Sequence, residues 1–139
     1  MLDALYQDEI IQLSRRSRER GRLEAPDASA RVDNPLCGDR VTVDLAIKDG
    51  RVTAIGHRVR GCALCEAAAE IITESAIGMN AAEIADIEAA TRAFMTSSHS
   101  TPPWARLSVF APVRDVKSRQ DCVFLPFMAM NKAMAETTE

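Results

Sequence analysis

The sequence has few of the features that would place it in a membrane, secreted or nucleic-acid-binding class. Hydrophobic residues make up 47% of its 139 residues, yet no apolar stretch reaches the roughly 18 residues that span a bilayer. No secretory signal precedes the first predicted helix, so we expect a cytoplasmic protein. The net charge of −3 provides no broadly basic surface for nucleic acid or for anionic lipid.

Cysteine is also scarce, and its pattern excludes an ordinary zinc finger. The chain has four cysteines and lacks the paired C-x₂-C…C-x₂-C arrangement of a zinc ribbon. In a reducing compartment, four thiols are better explained as ligands or reactive groups than as two disulfides. The length suits one domain with its own core, which we predict to span residues 1–139.

The first third of the chain is predicted to contain a helix and a connection. Apolar residues recur at helical spacing from Leu2 to Leu13 and predict an amphipathic helix over about residues 2–20. Gly21 is a suitable stop for that helix. Residues 22–36 include two prolines and show little periodicity, so they are predicted to form an extended connection.

A β-hairpin is predicted next. Hydrophobic and polar residues alternate over 41–47, which indicates a half-buried strand. Asp49-Gly50 favours a tight hairpin turn, because both central positions of such a turn need positive φ. The returning strand starts at Arg51 and is predicted to break near Gly56 before resuming through Arg60.

The second half of the chain is predicted to be helical. One helix follows Cys62 and closes by Gly78, and a second begins at Asn80 with a capping box. A short helix is expected over 104–110, followed by a last helix from about Ser118 with a bend at its proline. The predicted fold class is α+β, with a small antiparallel sheet of two or three strands packed against several helices.

Three cysteines and one aspartate fall at the boundaries of these elements. Cys37 and Asp39 flank Gly38 in a loop before the first strand of the hairpin. Cys62 begins a helix, and Cys122 is predicted in the first turn of the last helix, where the N–H groups favour a thiolate. Three sulfurs and one oxygen suit tetrahedral Zn²⁺, or an iron–sulfur cluster with one non-cysteine ligand.

The fourth cysteine and the two histidines have competing interpretations. Cys65 forms one C-x₂-C unit with Cys62, which would suit a redox dithiol or an additional ligand. Its position in an alanine-rich helix favours a small core residue instead. His57 is interpreted as structural, and His99 as a solvated residue in a loop that could bring it towards the site.

The motifs around these cysteines resemble a known family. The segments Asn34-Pro35-Leu36-Cys37-Gly38-Asp39 and Gly61-Cys62-Ala63-Leu64, with Arg119 three residues before Cys122, are similar to the IscU/SufU/NifU N-terminal family of iron–sulfur cluster assembly proteins. The resemblance extends over most of the chain. The long gap between the second and third cysteines, with Asp121 rather than histidine before Cys122, is most similar to the SufU branch.

The resemblance implies a fold, a site and a function. The fold would be a small antiparallel sheet packed by helices, with the cysteines converging at one end. The site would hold Zn²⁺, or iron and a [2Fe–2S] cluster. It would accept persulfide sulfur from a cysteine desulfurase. Apo-proteins that accept the finished cluster are the further partners that the resemblance implies. The implied sulfur acceptor is Cys122, and the implied metal ligands are Cys37, Asp39, Cys62 and Cys122.

Two other functions fit the same residues. One is a structural zinc-binding interaction module without sulfur-transfer chemistry, in which the metal would contribute folding energy. The other is a thiol–disulfide switch that uses Cys62 and Cys65. The leading interpretation is a scaffold or sulfur-transfer accessory protein rather than a turnover enzyme, with the role of Cys65 left open.

Overall fold

Three antiparallel strands form one sheet with β2 in the centre. β1 is Ala28–Asp33, β2 is Arg40–Lys48 and β3 is Arg51–Arg60. Alternate residues of each strand point to one face, which is buried under the helices. The computed structural model describes residues 4–36, 38–97, 101–114 and 116–136. Three residues used in the sequence predictions lie outside these ranges: Leu2, Cys37 and His99.

The predicted extended connection over residues 22–36 is wrong, because part of it is β1. Ala28 and Ala30 are buried, whereas Arg31 is exposed on the outer face of the sheet. Alanine is only weakly hydrophobic, so this alternation gives a weak signal in the sequence. β1 pairs with β2, which sets Ala30 opposite Val43, and the last helix of the chain packs against both strands on the face where these small side chains are buried.

The turn between β2 and β3 is confirmed, and the predicted break in β3 is not found. Asp49 has φ 55 and Gly50 has φ 78, as a type I′ turn requires. β3 runs unbroken to Arg60. Gly56 instead leaves space for the backbone of residues 21–23, which crosses the outer face of the sheet: a Cβ at Gly56 would lie 2.7 Å from the backbone nitrogen of Leu23.

Helices cover the inner face of the sheet, and the α+β fold is confirmed. The segment predicted as a short helix is a 3₁₀ helix over Ala105–Val113. In chain order, the α-helices of the described residues are α1 (Ala4–Glu19), α2 (Ala63–Ser75), α3 (Ala81–Thr96) and α4 (Lys117–Ala135). α4 packs against β1 and β2, while α2 packs against β3, α1 and α4.

Ion pairs as well as apolar contacts hold α1 on α2. Arg18 Nε lies 3.1 Å from Glu66 Oε2, and Arg20 Nη2 lies 2.9 Å from Glu70 Oε2. The Glu70 side chain is 0% exposed. Arg20 directly follows the last residue of α1, so the end of that helix brings a cation to a carboxylate of α2 whose burial would be costly without one.

The sequence predicts a capped start for α3 and a bend inside α4. The predicted capping box is confirmed: the Glu83 backbone N–H donates to Asn80 Oδ1, and the Asn80 N–H donates to Glu83 Oε1. α4 remains one helix with Pro126 in its interior, and the bend expected there stays a prediction. Among the described residues, no helix is both long enough and apolar enough to cross a membrane.

Candidate metal centre

Asp39, Cys62 and Cys122 meet at one end of the sheet. Asp39 directly precedes β2 and Cys62 follows β3, and the register that sets Arg40 opposite Arg60 brings these two ends together. α4 adds Cys122 from the inner face. One carboxylate oxygen and the two sulfurs all lie within 4.8 Å of one another. The structure therefore brings together three of the four predicted ligands.

Backbone hydrogen bonds in the loop between β1 and β2 fix the residues on both sides of Cys37, the remaining predicted cysteine ligand. The Asn34 N–H donates to the Asp39 carbonyl oxygen, and the Gly38 N–H donates to the Asn34 carbonyl oxygen, each at 2.8 Å. Gly38 has φ 78, a conformation that glycine adopts without strain. Cys37 lies outside the described residues, so its place among the ligands stays a prediction.

Gly61 leaves the space that the Asp39 side chain occupies. A Cβ at Gly61 would lie 2.6 Å from Asp39 Cγ and 2.8 Å from Asp39 Oδ1. The carboxyl group is consequently packed against backbone, and Asp39 as a residue is 7% exposed. In the sequence Gly61 is notable only for preceding Cys62, and that pattern does not reveal that its lack of a side chain positions Asp39.

Cys62 and Cys122 reach the site in different ways. Cys62 is the N-cap residue of α2 and is exposed, as predicted. Cys122 is not in the first turn of the last helix, because α4 already begins at Lys117. It is 8% exposed, and its thiol lies 3.5 Å from Asp39 Oδ2.

The surroundings of Cys122 do not favour a thiolate in the absence of a cation. Burial raises the pKa of the Cys122 thiol above its usual range, and the neighbouring Cys62 and Asp39 raise it further. Cys122 shares one small space with a carboxylate and a second thiol, so a negative charge on Cys122 would be poorly solvated and close to other acidic groups. A divalent cation at this position would reverse that effect and deprotonate the thiol.

The donor set and its spacing fit a tetrahedral metal ion. Ligand atoms about 2.0–2.3 Å from a tetrahedral ion stand about 3.3–3.8 Å apart. The distance of 3.5 Å between Cys122 Sγ and Asp39 Oδ2 falls in that range. Thiolate ligands select Zn²⁺ or iron over hard cations such as Mg²⁺, and a single carboxylate makes the weakest bond of the set.

Cys65 lies in the core and is not one of the clustered ligands. Its residue is 0% exposed within α2, and the metal-compatible group found among the described residues does not include it. Burial agrees with the interpretation of Cys65 as a small core residue. A dithiol with the exposed Cys62 would require that buried sulfur to reach solvent.

His57 is a buried, hydrogen-bonded residue, as its structural interpretation predicted. Its Nε2 lies 2.8 Å from Ser17 Oγ, and its Nδ1 lies 2.7 Å from Thr73 Oγ1. The Thr73 hydroxyl donates to the Ala69 carbonyl oxygen, so it accepts from Nδ1–H. The lowered pKa of His57 keeps the imidazole neutral, which leaves Nε2 to accept from the Ser17 hydroxyl.

The neutral state of His57 makes the fold sensitive to acid. Burial and, to a lesser extent, the charge of Arg20 together lower the pKa of His57 to about 4. The unfolded chain, with a pKa of about 6.5, takes up the proton first as the pH falls. Stability from this residue is therefore complete above about pH 6.5 and is lost progressively down to about pH 4.

The family follows from comparison with known proteins. The sequence model of the NifU-like N-terminal domain matches residues 5–122. The chain belongs to this family. The crystal structure of a nitrogen-fixing NifU-like protein (N-terminal) from Brucella abortus has a TM-score of 0.84 at 32% sequence identity, covering 96% of this chain and 96% of the other.

Relatives in the family carry scaffold names. An IscU iron–sulfur cluster assembly scaffold protein from Archaeoglobus fulgidus is 34% identical over 74 residues, which are 53% of this chain and 48% of that protein. The chain thus matches about half the length of that relative. The Thermotoga maritima IscU scaffold is 23% identical over 131 residues, covering 94% of this chain and 92% of that protein.

Another solved structure supports the fold. A proposed cluster assembly scaffold for the SUF system from Fervidobacterium islandicum has a TM-score of 0.81 at 20% identity, covering 91% of this chain and 94% of the other. At that identity the likeness concerns the fold alone. The particular similarity to the SufU branch, which rests on Asp121 and the long gap before Cys122, stays a prediction.

Proposed function

We propose that this chain is an iron–sulfur cluster assembly scaffold that accepts persulfide sulfur from a cysteine desulfurase. The observation that carries the proposal is the meeting of Asp39, Cys62 and Cys122 at one end of the sheet. Family membership and the scaffold names of its relatives support it. Cys37 is proposed as the third cysteine ligand, and cluster-accepting apo-proteins as the downstream partners.

The proposed chemistry transfers one sulfur atom between thiols. The Cys122 thiolate attacks the terminal sulfur of the persulfide on the desulfurase, forming a new S–S bond at Cys122. The S–S bond of the donor breaks, its cysteine leaves as a thiolate and takes a proton, and no net oxidant is needed. A divalent cation held beside Cys122 would keep this sulfur in the thiolate form, and Asp39 Oδ2, a proposed ligand of that cation, lies 3.5 Å from it.

Asp39 is proposed as the ligand that exchanges. A carboxylate oxygen binds a soft metal more weakly than a thiolate does, so it is the bond that opens most readily. Its release would give an incoming sulfur or iron access to the buried Cys122. The exposed Cys62 and the proposed Cys37 would keep the metal in place meanwhile.

Persulfide transfer tests the assignment of Cys122. The purified chain is incubated with a catalytic amount of desulfurase and L-cysteine, and persulfide is detected by alkylation and mass spectrometry. Cys122→Ser should reduce labelling of the chain to background while circular dichroism stays unchanged. Cys62→Ser, which removes the exposed thiol, is the matched variant. Unchanged labelling in Cys122→Ser, with loss in Cys62→Ser, would transfer the role to Cys62.

The proposed ligands suit both Zn²⁺ and the iron of a [2Fe–2S] cluster. Metal analysis and a visible absorption spectrum of anaerobically purified protein separate these cargoes. Stoichiometric zinc in a colourless sample indicates a zinc-dependent sulfur acceptor. A brown sample with iron and sulfide indicates that the chain holds a cluster.

A structural zinc module is not favoured by these observations. The three clustered ligands lie at one end of the sheet, whereas the buried core extends over the inner face of all three strands and the helices. We therefore expect the chain to stay folded after chelation, with thermal melting as the measurement. A thiol–disulfide switch is disfavoured by the complete burial of Cys65.

A further inference from the structure

The outer face of the sheet carries a groove lined by arginines. The groove has a volume of about 760 Å³ and is open to solvent. This concentration of cations is unexpected in a chain whose net charge is −3. The arginines that line it are Arg22, Arg31, Arg40, Arg58 and Arg60.

The strand register sets four of these arginines in two rows. Arg31, Thr42 and Arg58 lie side by side across β1, β2 and β3. In the next row, Arg40 lies directly opposite Arg60. Like charges directly opposite each other on neighbouring strands destabilise a sheet, unless an anion lies between them.

The carboxylates of the protein neutralise only part of this charge. Both oxygens of Asp44 accept from Arg22, at 2.9 Å each, and Asp44 also accepts from the Leu23 N–H and from the hydroxyl of Ser29. Both oxygens of Asp44 are thus occupied by hydrogen bonds within the protein, so Asp44 does not pair with the other arginines of the groove.

The other carboxylate near the groove, that of Asp33, is shared between two arginines. Asp33 accepts from Arg40 at 2.8 Å and lies 3.9 Å from Arg31. Neither Arg58 nor Arg60, both exposed, has a carboxylate partner among the described residues. Two guanidinium groups on β3 are consequently available to a ligand.

The groove leads towards the candidate metal centre. Its far end is closed where the backbone of residues 21–23 crosses the sheet above Gly56. At the other end, Arg40 directly follows Asp39, and Arg60 directly precedes Gly61 and Cys62. A molecule bound along the groove would therefore end beside the metal-binding residues.

The spacing of the arginines favours an extended chain over a compact anion. Arg58 and Arg60 lie two residues apart on one strand, which is about 6.6 Å, and Arg31 lies two strands from Arg58, about 9.5 Å away. Alternate side chains of an extended peptide have the same 6.6 Å repeat. Among the described residues that line the groove, none is aromatic or glycine, so neither a base-stacking surface nor a phosphate-binding glycine loop is present.

From this geometry we propose that the groove binds an extended, acidic segment of a partner protein. Arginine pairs with carboxylates in a bidentate manner, and such a segment would replace the repulsion between Arg40 and Arg60 with attraction. Docking there would hold the partner beside the metal-binding residues. This surface requires no sulfur chemistry, so its test is independent of the proposed function.

A labelled acidic peptide tests the groove directly. The probe is fluorescein-labelled octaglutamate, with binding measured by fluorescence anisotropy at low and at physiological ionic strength. Binding should weaken as salt rises, because exposed charges are screened. The R58E/R60E variant should bind about tenfold more weakly, or worse, since two attractive contacts become repulsive. If that variant misfolds by circular dichroism, R58Q/R60Q replaces it.

A matched control changes the net charge by the same amount elsewhere. R15E/K48E alters exposed cations that do not line the groove, and it should bind within about twofold of the unmodified chain. The variant C62S/C122S should also retain peptide binding. Equal losses in R58E/R60E and R15E/K48E would overturn the proposal, since binding would then reflect overall charge alone.

Other anions give the competing outcomes. The same titration is run with labelled octathymidylate, and with inorganic pyrophosphate as a competitor of the peptide. Tighter binding of the oligonucleotide, with the same loss in R58E/R60E, would overturn the proposal in favour of nucleic acid. Full displacement of the peptide by equimolar pyrophosphate would overturn it in favour of a small phosphate ligand.

Discussion

The close approach of Gly61 to Asp39 gives the most direct prediction about the candidate metal centre. In Gly61→Ala the new methyl group would lie 2.6 Å from Asp39 Cγ, whereas carbon atoms normally approach to about 3.5–4.0 Å. The carboxyl group must therefore move by about 1 Å. Gly61 is not among the residues with positive φ, so alanine brings no backbone strain, and it reduces the entropy of the unfolded chain by about 0.4–1 kcal/mol.

The expected result is a loss of metal affinity without a comparable loss of stability. Gly61 acts by positioning a ligand, and such changes typically weaken metal binding by about 10- to 100-fold. Zinc affinity is measured by competition with a chromophoric chelator. The free energy of unfolding is measured by urea titration of the metal-free protein, where we expect a change within about 1 kcal/mol.

Two other glycines provide the controls. A Cβ at Gly21 would meet no atom within 4 Å, so Gly21→Ala should alter neither quantity. Gly56→Ala would place a Cβ 2.7 Å from backbone and should cost about 1–3 kcal/mol of stability with zinc affinity retained. Zinc affinity in Gly61→Ala equal to that of Gly21→Ala would refute the assignment of Asp39 as a positioned ligand.

Three further predictions concern the buried polar and thiol groups. Between pH 7 and pH 5 the free energy of unfolding should fall by about 2 kcal/mol because of His57. Urea titrations at the two pH values should show a smaller fall in His57→Gln than in the unmodified chain. An equal fall would contradict the assignment of His57 as buried and neutral. Arg20→Ala should destabilise the chain by about 2 kcal/mol, because the buried Glu70 loses its partner; this figure allows for solvent screening of the half-exposed arginine. The control Arg15→Ala should change stability by less than about 0.5 kcal/mol. Cys65→Ala should cost about 1 kcal/mol of stability by opening a small cavity and leave zinc affinity unchanged; a loss of zinc would instead identify the thiol as a ligand.

Local signals were sufficient where the cause of a structure lies within a few residues. The Asp49-Gly50 turn follows from the positive φ that both positions need, and the start of α3 from the reciprocal hydrogen bonds of Asn80 and Glu83. The motifs around the cysteines were likewise specific enough to indicate the family. Each of these depends on dihedral preference or residue identity, which the chain carries without its fold.

Sequence patterns gave wrong predictions where the structure of a segment depends on residues far away in the chain. β1 is a strand because it pairs with β2 and packs against α4 on the face where Ala28 and Ala30 are buried. Alanine is too weakly hydrophobic to show a clear period in the sequence. The predicted break at Gly56 was wrong for a related reason, since that glycine serves the crossing of residues 21–23 and not a turn in its own strand.

The sequence by itself therefore determined the family, the α+β class and the chemical types of the ligands. Tertiary structure decided how those groups act on one another. It brought Asp39 and Cys122, 83 residues apart in the chain, to 3.5 Å, and it buried Cys122 so that the pKa of its thiol rises. It also set five arginines along one groove. Distances between remote residues follow from strand register and helix packing, which no local pattern encodes.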